Sequence, residues 1–161
     1  MTYDNEVSIT MSARSQNEAF ARIAASAFAA PLDPLLSDLT DVKTAVSEAV
    51  TNAIIHGYEN KDGYVFITFR SYGDVIYVTV TDEGVGIDNV EQAMTPLYTS
   101  KPELERSGMG FTVMQAFMDN INVTSVPGRG TTVEMRKAIK RQGQKPGFDC
   151  LLSGQGSAGE R

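Results

Sequence analysis

Val7, Ile9 and Met11 alternate with polar neighbours, a period of two that predicts a strand over Glu6–Met11. The period then lengthens. Ser15 followed by Glu18 has the spacing of a capping box, and behind it Ala19, Phe20, Ile23, Ala24, Ala27 and Phe28 recur at helical intervals. This helix should end before Pro31 and Pro34, since the residue preceding a proline avoids helical geometry. A second helix is predicted to start within Ser37–Thr40 and run to about Gly57, with Val42, Val46, Ala49, Val50 and Ala53 along one side. Tyr64–Arg70 and Val75–Thr81 are β-rich runs flanking Ser71-Tyr72-Gly73-Asp74, which predicts a hairpin. Asp88–Ser107 carries two prolines and mixed charge without a clean period, so it reads as a long loop with a short helix at Val90–Met94. A helix from Gly108 to about Asn120 follows, with Val113, Met114, Phe117 and Met118 inward. Strands Ile121–Val126 and Thr131–Ile139 are joined by the turn Pro127-Gly128-Arg129-Gly130. Three helices and four or five strands with hairpin-like connections predict an α+β fold: a two-layer α/β sandwich whose mixed, mostly antiparallel sheet carries its helices on one face.

Composition bounds the class. A chain of 161 residues has room for one domain with a full core. Residues 1–140 read as that domain, and 141–161, with five glycines and no periodicity, as a flexible tail. The net charge of −6 argues against phosphate backbones and anionic membranes as partners, because both attract basic surfaces. The longest apolar stretch, Ala19 to Leu32, is interrupted by Arg22 and too short to span a bilayer. With Cys150 as the single cysteine, no disulfide can form within the chain. The acidic start of the chain is unlike a secretory signal. A soluble, cytoplasmic protein is expected.

Four patterns carry candidate chemistry. In the second helix, steps of four bring Glu48, Asn52 and His56 onto one line. At ~100° per residue this line lies roughly 110° from the centre of the apolar stripe, on the margin of the core. An amide oxygen there suits Mg²⁺, and a carboxylate one turn away can accept a proton; a solvated helix flank has the same spacing. Asp82-Glu83-Gly84-Val85-Gly86 closes an alternating strand. A carboxylate beside the sheet needs donors to offset its desolvation, and the exocyclic amine of adenine supplies one. Gly84 and Gly86 let the backbone turn close to a flat ring, although a plain strand-closing turn looks alike. Ser107-Gly108-Met109-Gly110-Phe111 is a glycine turn opening a helix, where free N–H groups and partial positive charge suit phosphates. Lys101 and Arg106 lie upstream; Lys101 reads as surface charge. Thr131, in Gly130-Thr131-Thr132, shares a strand face with Val133 and Met135, so its hydroxyl points to the pocket or packs in the core.

The order of these pieces resembles the GHKL ATP-binding superfamily of gyrase, the ninety-kilodalton heat-shock chaperone, histidine kinases and the mismatch-repair ATPase. No Walker A, H-R-D or D-F-G motif of other phosphoryl-transfer folds is present. The runs from Val46 to Tyr58 and from Pro102 to Phe111 are similar to those of the anti-sigma-F factors of spore-forming bacteria, with a likeness covering about residues 5–138.

That resemblance implies a protein that binds a sigma-F-type sigma factor and holds it inactive. It also implies a serine kinase that uses ATP and Mg²⁺ to phosphorylate an anti-anti-sigma factor, its antagonist. By position, Glu48 is the implied base, Asn52 the Mg²⁺ ligand and Asp82 the reader of the adenine amine, supported by Thr131. Gly108 to Phe111 would cradle the phosphates and Arg106 would meet the terminal one. The helix Ser15–Phe28 with the strand before it matches the region that pairs subunits, so a homodimer is implied. Its Glu18 and Arg22, expected to be exposed, are candidate partner contacts. An anti-sigma kinase for a stress-response sigma factor, or a module that holds ATP without transferring it, would share most of these residues; Glu48 argues against a mere holder. His56, the single histidine, is expected to support the pocket from behind or to close the helix end, because no separate dimerisation helix accompanies it as in kinases that phosphorylate a histidine.

Overall fold

The computed structural model describes residues 2–96 and 110–143. The strands are β1 (Asn5–Ser12), β2 (Tyr64–Tyr72), β3 (Val75–Asp82), β4 (Asn120–Val126) and β5 (Gly130–Ala138). They form one sheet in the order β1-β2-β3-β5-β4. Every pairing is antiparallel, so the expected mixed character is absent from the described sheet. The β4–β5 hairpin folds back so that β5, not β4, lies against β3.

Register places Val65, Ile67 and Phe69 of β2, Ile76, Val78 and Val80 of β3, and Val133 and Met135 of β5 on a single face, all buried. Polar and aromatic residues such as Thr68, Thr79 and Glu134 take the other face, as alternation demands of a sheet covered on one side. The cover is α1 (Asn17–Ala29), α2 (Leu36–Asn52) and α4 (Gly110–Phe117), with a short α3 (Val90–Ala93) at the loop side. Val42, Val46, Ala49 and Val50 of α2 are fully or almost fully buried, each burial of a valine stabilising the fold by about 1.5–3 kcal/mol. The helix does not simply stop after Asn52. Ala53–Gly57 forms a π-helical turn, an irregularity that re-aims side chains at a helix end.

Helix α1 departs from expectation in two ways. Its buried residues are Ala21, Ala25, Phe28 and Ala29, while Phe20 and Ile23 are 55% and 66% exposed. The expected capping box is also absent: no side chain caps the helix. The Glu18 carboxylate instead accepts the Ser47 hydroxyl of α2, with the Arg22 guanidinium 3.7 Å away. Glu18 is therefore largely buried between helices rather than exposed, its side chain retaining 23% of its accessible surface against 45% for Arg22.

A buried ion cluster ties the far end together. Lys137, 8% exposed on the core face of β5, donates to the Phe117 carbonyl at 2.7 Å. Its ammonium lies 3.0 Å from Asp41 and 4.0 Å from Asp38. Asp38, 5% exposed, also accepts the Lys140 N–H at 2.7 Å. The cluster thus joins the start of α2, the end of α4 and the last strand. Beyond it Arg141 pairs with Asp74, and Gln142 donates its N–H to the Asp33 carbonyl at 2.9 Å. The Lys101, Arg106, Ser107, Gly108 and Met109 positions and residues 144–161, Cys150 included, lie outside the described residues. Among the described residues no helix is long and apolar enough to cross a membrane.

Candidate functional site

A cavity of about 380 Å³ opens between α2, its π-turn, the ends of β3 and β5, and the start of α4. Asn52, Asp82, Gly86, Gly110, Phe111 and Thr131 line it, together with His56. Residues drawn from four separate stretches of the sequence thus face one space.

On the sheet side stands Asp82, 5% exposed, directly opposite Thr131, 8% exposed, in the β3–β5 register. The turn beyond Asp82 is held by close backbone approaches. A Cβ on Gly84 would come within 2.0 Å of the Gly57 carbonyl oxygen, which accepts the Val85 N–H at 2.9 Å. Gly57 in turn lies so near Asp82 that a Cβ there would meet the carboxylate at 2.7 Å. Gly86 has φ 73° and leaves no room for a side chain beside the Val126 carbonyl, so both its geometry and its space require glycine. Tyr58 fixes the same turn from outside: its hydroxyl accepts the Glu83 N–H at 2.8 Å and donates to the Tyr64 carbonyl.

Burial pushes the Asp82 carboxyl above its ordinary value, and backbone hydrogen bonds from Gly84 and Thr131 pull it partly back. The folded protein therefore holds this proton more tightly than the unfolded chain does. The resulting loss of stability sets in as pH rises past the unfolded value of about 3.9, and is complete above the folded value. Asp82→Asn is accordingly expected to raise the melting temperature of the nucleotide-free protein at pH 7. The gain should shrink as pH falls through about 4 in calorimetric melts and vanish well below it, where Asp82 is protonated in both states.

On the α4 side, Glu48 and Asn52 meet the start of that helix. An ideal Cβ on Gly110 would lie 3.0 Å from Asn52 Oδ1 and 3.4 Å from a Glu48 carboxylate oxygen. Glu48 is half-buried and stands one turn behind Asn52, outside the cavity lining itself. Asn52 Oδ1 is buried and, among the described residues, has no hydrogen-bond partner. Such an orphaned acceptor is costly unless a ligand completes it. A hard cation fits: Mg²⁺ takes few protein ligands and keeps waters or phosphate oxygens for the rest.

Sequence reasoning singles out Glu48, Asn52, Asp82, Gly84, Gly86, Gly110, Phe111 and Thr131, and these stand around one cavity and its edges. Arg106 and Ser107–Met109 fall outside the described residues, and Glu18 and Arg22 lie away from the cavity lining. Sequence reasoning misses Gly57, Tyr58 and Ser125 as parts of the site. Gly57 and Tyr58 follow Asn52 closely, but a Gly-Tyr pair at a helix end reads as a C-cap until the sheet is in place. Ser125 is legible from the hairpin: counting back from the Pro127–Gly130 turn sets it opposite Thr131.

An antiparallel sheet roofed by helices, with a helix-borne amide and a glycine-edged strand acid lining one cavity, suits a nucleotide-binding domain. In agreement, the histidine kinase-like ATPase domain family matches residues 11–137. The chain is 58% identical over 137 residues to the anti-sigma F factor of Clostridium kluyveri, an alignment covering 85% of this chain and 96% of that one. It is 55% identical over 138 residues to the anti-sigma F factor of Bacillus licheniformis, covering 85% and 94%. The chain belongs to the anti-sigma F factor family, within the histidine kinase-like ATPases. Its fold is similar to that in the crystal structure of the RsbU and RsbW domains of a Mycobacterium tuberculosis protein. The TM-score is 0.62 at 20% identity, over 85% of this chain and 32% of that longer one.

Proposed function

We propose that this chain binds a sporulation sigma factor of the sigma-F type and holds it inactive, and that it uses Mg-ATP to phosphorylate a serine of its anti-anti-sigma antagonist. The observation that carries the catalytic half is that Asp82, Thr131 and Asn52, whose buried oxygen is orphaned, line one cavity, with Glu48 and Asn52 both beside Gly110. Membership of the anti-sigma F factor family supports the sigma-binding half.

Asp82 accepts a hydrogen bond from the exocyclic amine of adenine, and Thr131 supports that contact. The Gly84–Gly86 turn lets the ring lie flat against backbone. Asn52 Oδ1 would hold Mg²⁺ at the phosphate end, and the ion bound there would neutralise charge on the phosphate oxygens. Gly110 and Phe111 line the cavity on the phosphate side; the resemblance implies contact with the phosphates for Arg106 and Ser107–Met109, which lie outside the described residues. Glu48 orients the incoming serine hydroxyl and takes its proton as the serine oxygen bonds to the γ-phosphorus. The bond to the bridging oxygen breaks and ADP departs. Transfer of this kind needs positioning and charge neutralisation more than covalent help from the protein.

The apolar, exposed Phe20 and Ile23 of α1, beside strand β1, are the surface on which a homodimer would form. Arg22 is the partner contact on that helix, with Glu18 holding its guanidinium from beneath. The protein acts in the cytoplasm, without direct contact to nucleic acid or membrane.

Mixing the protein with anti-anti-sigma domains and labelled Mg-ATP tests the kinase reading. Phosphoserine on the partner is the expected product; tight ATP binding with no transfer to any such domain would leave a nucleotide-held binding module instead. In the same material Asp82→Asn should weaken ATP binding by about 1–3 kcal/mol in titration calorimetry, the scale of a buried polar group left unpaired. An unchanged affinity would move the base away from Asp82.

A further inference from the structure

Three polar side chains stand in a row across neighbouring strands on the core face of the sheet. Asp82 on β3 faces Thr131 on β5, and Thr131 faces Ser125 on β4. The first two line the cavity, and Ser125 stands one strand behind them.

A serine hydroxyl has one proton to give and two lone pairs with which to accept. Ser125 Oγ accepts the Ile87 N–H at 2.8 Å. Its proton has two acceptors in reach, the Gly130 carbonyl at 3.0 Å and Thr131 Oγ1 at 2.9 Å. Two proton arrangements follow. If Ser125 donates to Gly130, Thr131 donates to Ser125, and the cavity meets only a Thr131 lone pair. If Ser125 donates to Thr131, the Thr131 proton is released toward the cavity. An adenine whose amine lies on the Asp82 carboxylate presents its ring N1, an acceptor, next to that amine. Only the second arrangement offers N1 a donor, directly or through one water.

We propose that Ser125 is a positioning residue that sets base specificity, an inference that rests on Asp82 as the adenine contact. By donating to Thr131 it makes the Thr131 hydroxyl a donor to purine N1. By accepting from Ile87 it fastens the Gly84–Ile87 turn against the same edge of the base. The acceptor at Asp82 and the donor at Thr131 then match adenine. A 6-oxopurine reverses both positions, with an acceptor at position 6 and an N–H at N1.

Calorimetric binding of three Mg-bound triphosphates tests this: ATP, its 1-deaza analogue, which keeps the amine but replaces N1 by C–H, and purine riboside triphosphate, which keeps N1 but lacks the amine. The wild type should bind ATP about fivefold more tightly than the 1-deaza analogue, the worth of one neutral hydrogen bond. Ser125→Ala should narrow that preference, because the Thr131 hydroxyl then rotates freely instead of being held with its proton toward the cavity, while still favouring ATP over the purine riboside form. Ser125→Thr, which keeps the hydroxyl, should retain it. In a Thr131→Val background Ser125→Ala should cause no further loss of the preference. If Ser125→Ala weakens ATP and the 1-deaza analogue by the same factor, Ser125 only holds the turn and the inference falls. It falls equally if the wild type does not distinguish those two ligands. Failure of the Asp82 reading is separately visible, as equal wild-type affinity for ATP and purine riboside triphosphate. Should Ser125→Ala not fold, Ser125→Cys, nearly the same volume with a weaker donor, should narrow the ATP preference, and an undiminished preference would overturn the inference.

Discussion

Glu48→Gln is expected to leave Mg-ATP affinity within about twofold of the wild type and to slow serine phosphorylation by about 10²–10⁴-fold, the contribution of a positioned general base. The separation of the two effects follows from where Glu48 sits. It stands one turn behind Asn52 and against Gly110, outside the cavity lining that a nucleotide would touch. The amide keeps the shape of the carboxylate and one acceptor oxygen but cannot take a proton at neutral pH. Single-turnover transfer of labelled phosphate to an anti-anti-sigma domain gives the rate, and calorimetry on the same preparation gives the affinity. A variant whose affinity falls in step with its rate would make Glu48 a nucleotide ligand rather than the base.

The second large effect is on stability. Lys137→Met should lower the free energy of unfolding by about 3–5 kcal/mol, because it strands Asp38 and Asp41 without their cation in a low-dielectric setting. The Phe117 carbonyl at the end of α4 also loses its donor. Removing the more buried of the two carboxylates as well, Lys137→Met with Asp38→Asn, should recover part of that loss, since the buried charge at Asp38 goes while the more exposed Asp41 remains. Urea unfolding of the single and double variants measures both quantities. A loss below about 1 kcal/mol for the single variant would mean that water reaches the cluster and screens it.

Lys137 also shows how far a sequence pattern reaches. Thr131, Val133, Met135 and Lys137 share parity along β5, so a lysine at the fourth inward position signals by strand alternation alone that an ion partner is buried nearby. The partners themselves, Asp38 and Asp41 on a helix roughly a hundred residues earlier, cannot be found by local pattern. Strands β2 and β3 are legible because alternating valine, isoleucine and phenylalanine leave a single way to face the core. The valine stripe of α2 is legible for the same reason. Helix α1 is less so: alanines and Phe28 form one apolar stripe, Phe20 and Ile23 another, and periodicity cannot say which one the sheet covers.

At the site, Asp82, Asn52 and the glycine turns can be found because each combines an unusual residue type with an element boundary. The role of Gly57 cannot, because it depends on β3 lying within contact of the π-turn, a long-range approach. Glu18 misleads for a related reason. Its spacing to Ser15 fits a cap, but the neighbouring helix offers the Ser47 hydroxyl, and that tertiary partner wins over the local one.

For the proposed chemistry to work, the base at Asp82 and the metal-bearing phosphates at Asn52 must share one cavity. Calorimetric titration of ATP with and without Mg²⁺, on the wild type and on Asn52→Ala, tests this most directly. Mg²⁺ should tighten ATP binding in the wild type and have little effect in Asn52→Ala, while the preference for ATP over purine riboside triphosphate persists in both. An Asn52→Ala variant that keeps the full Mg²⁺ gain would contradict it.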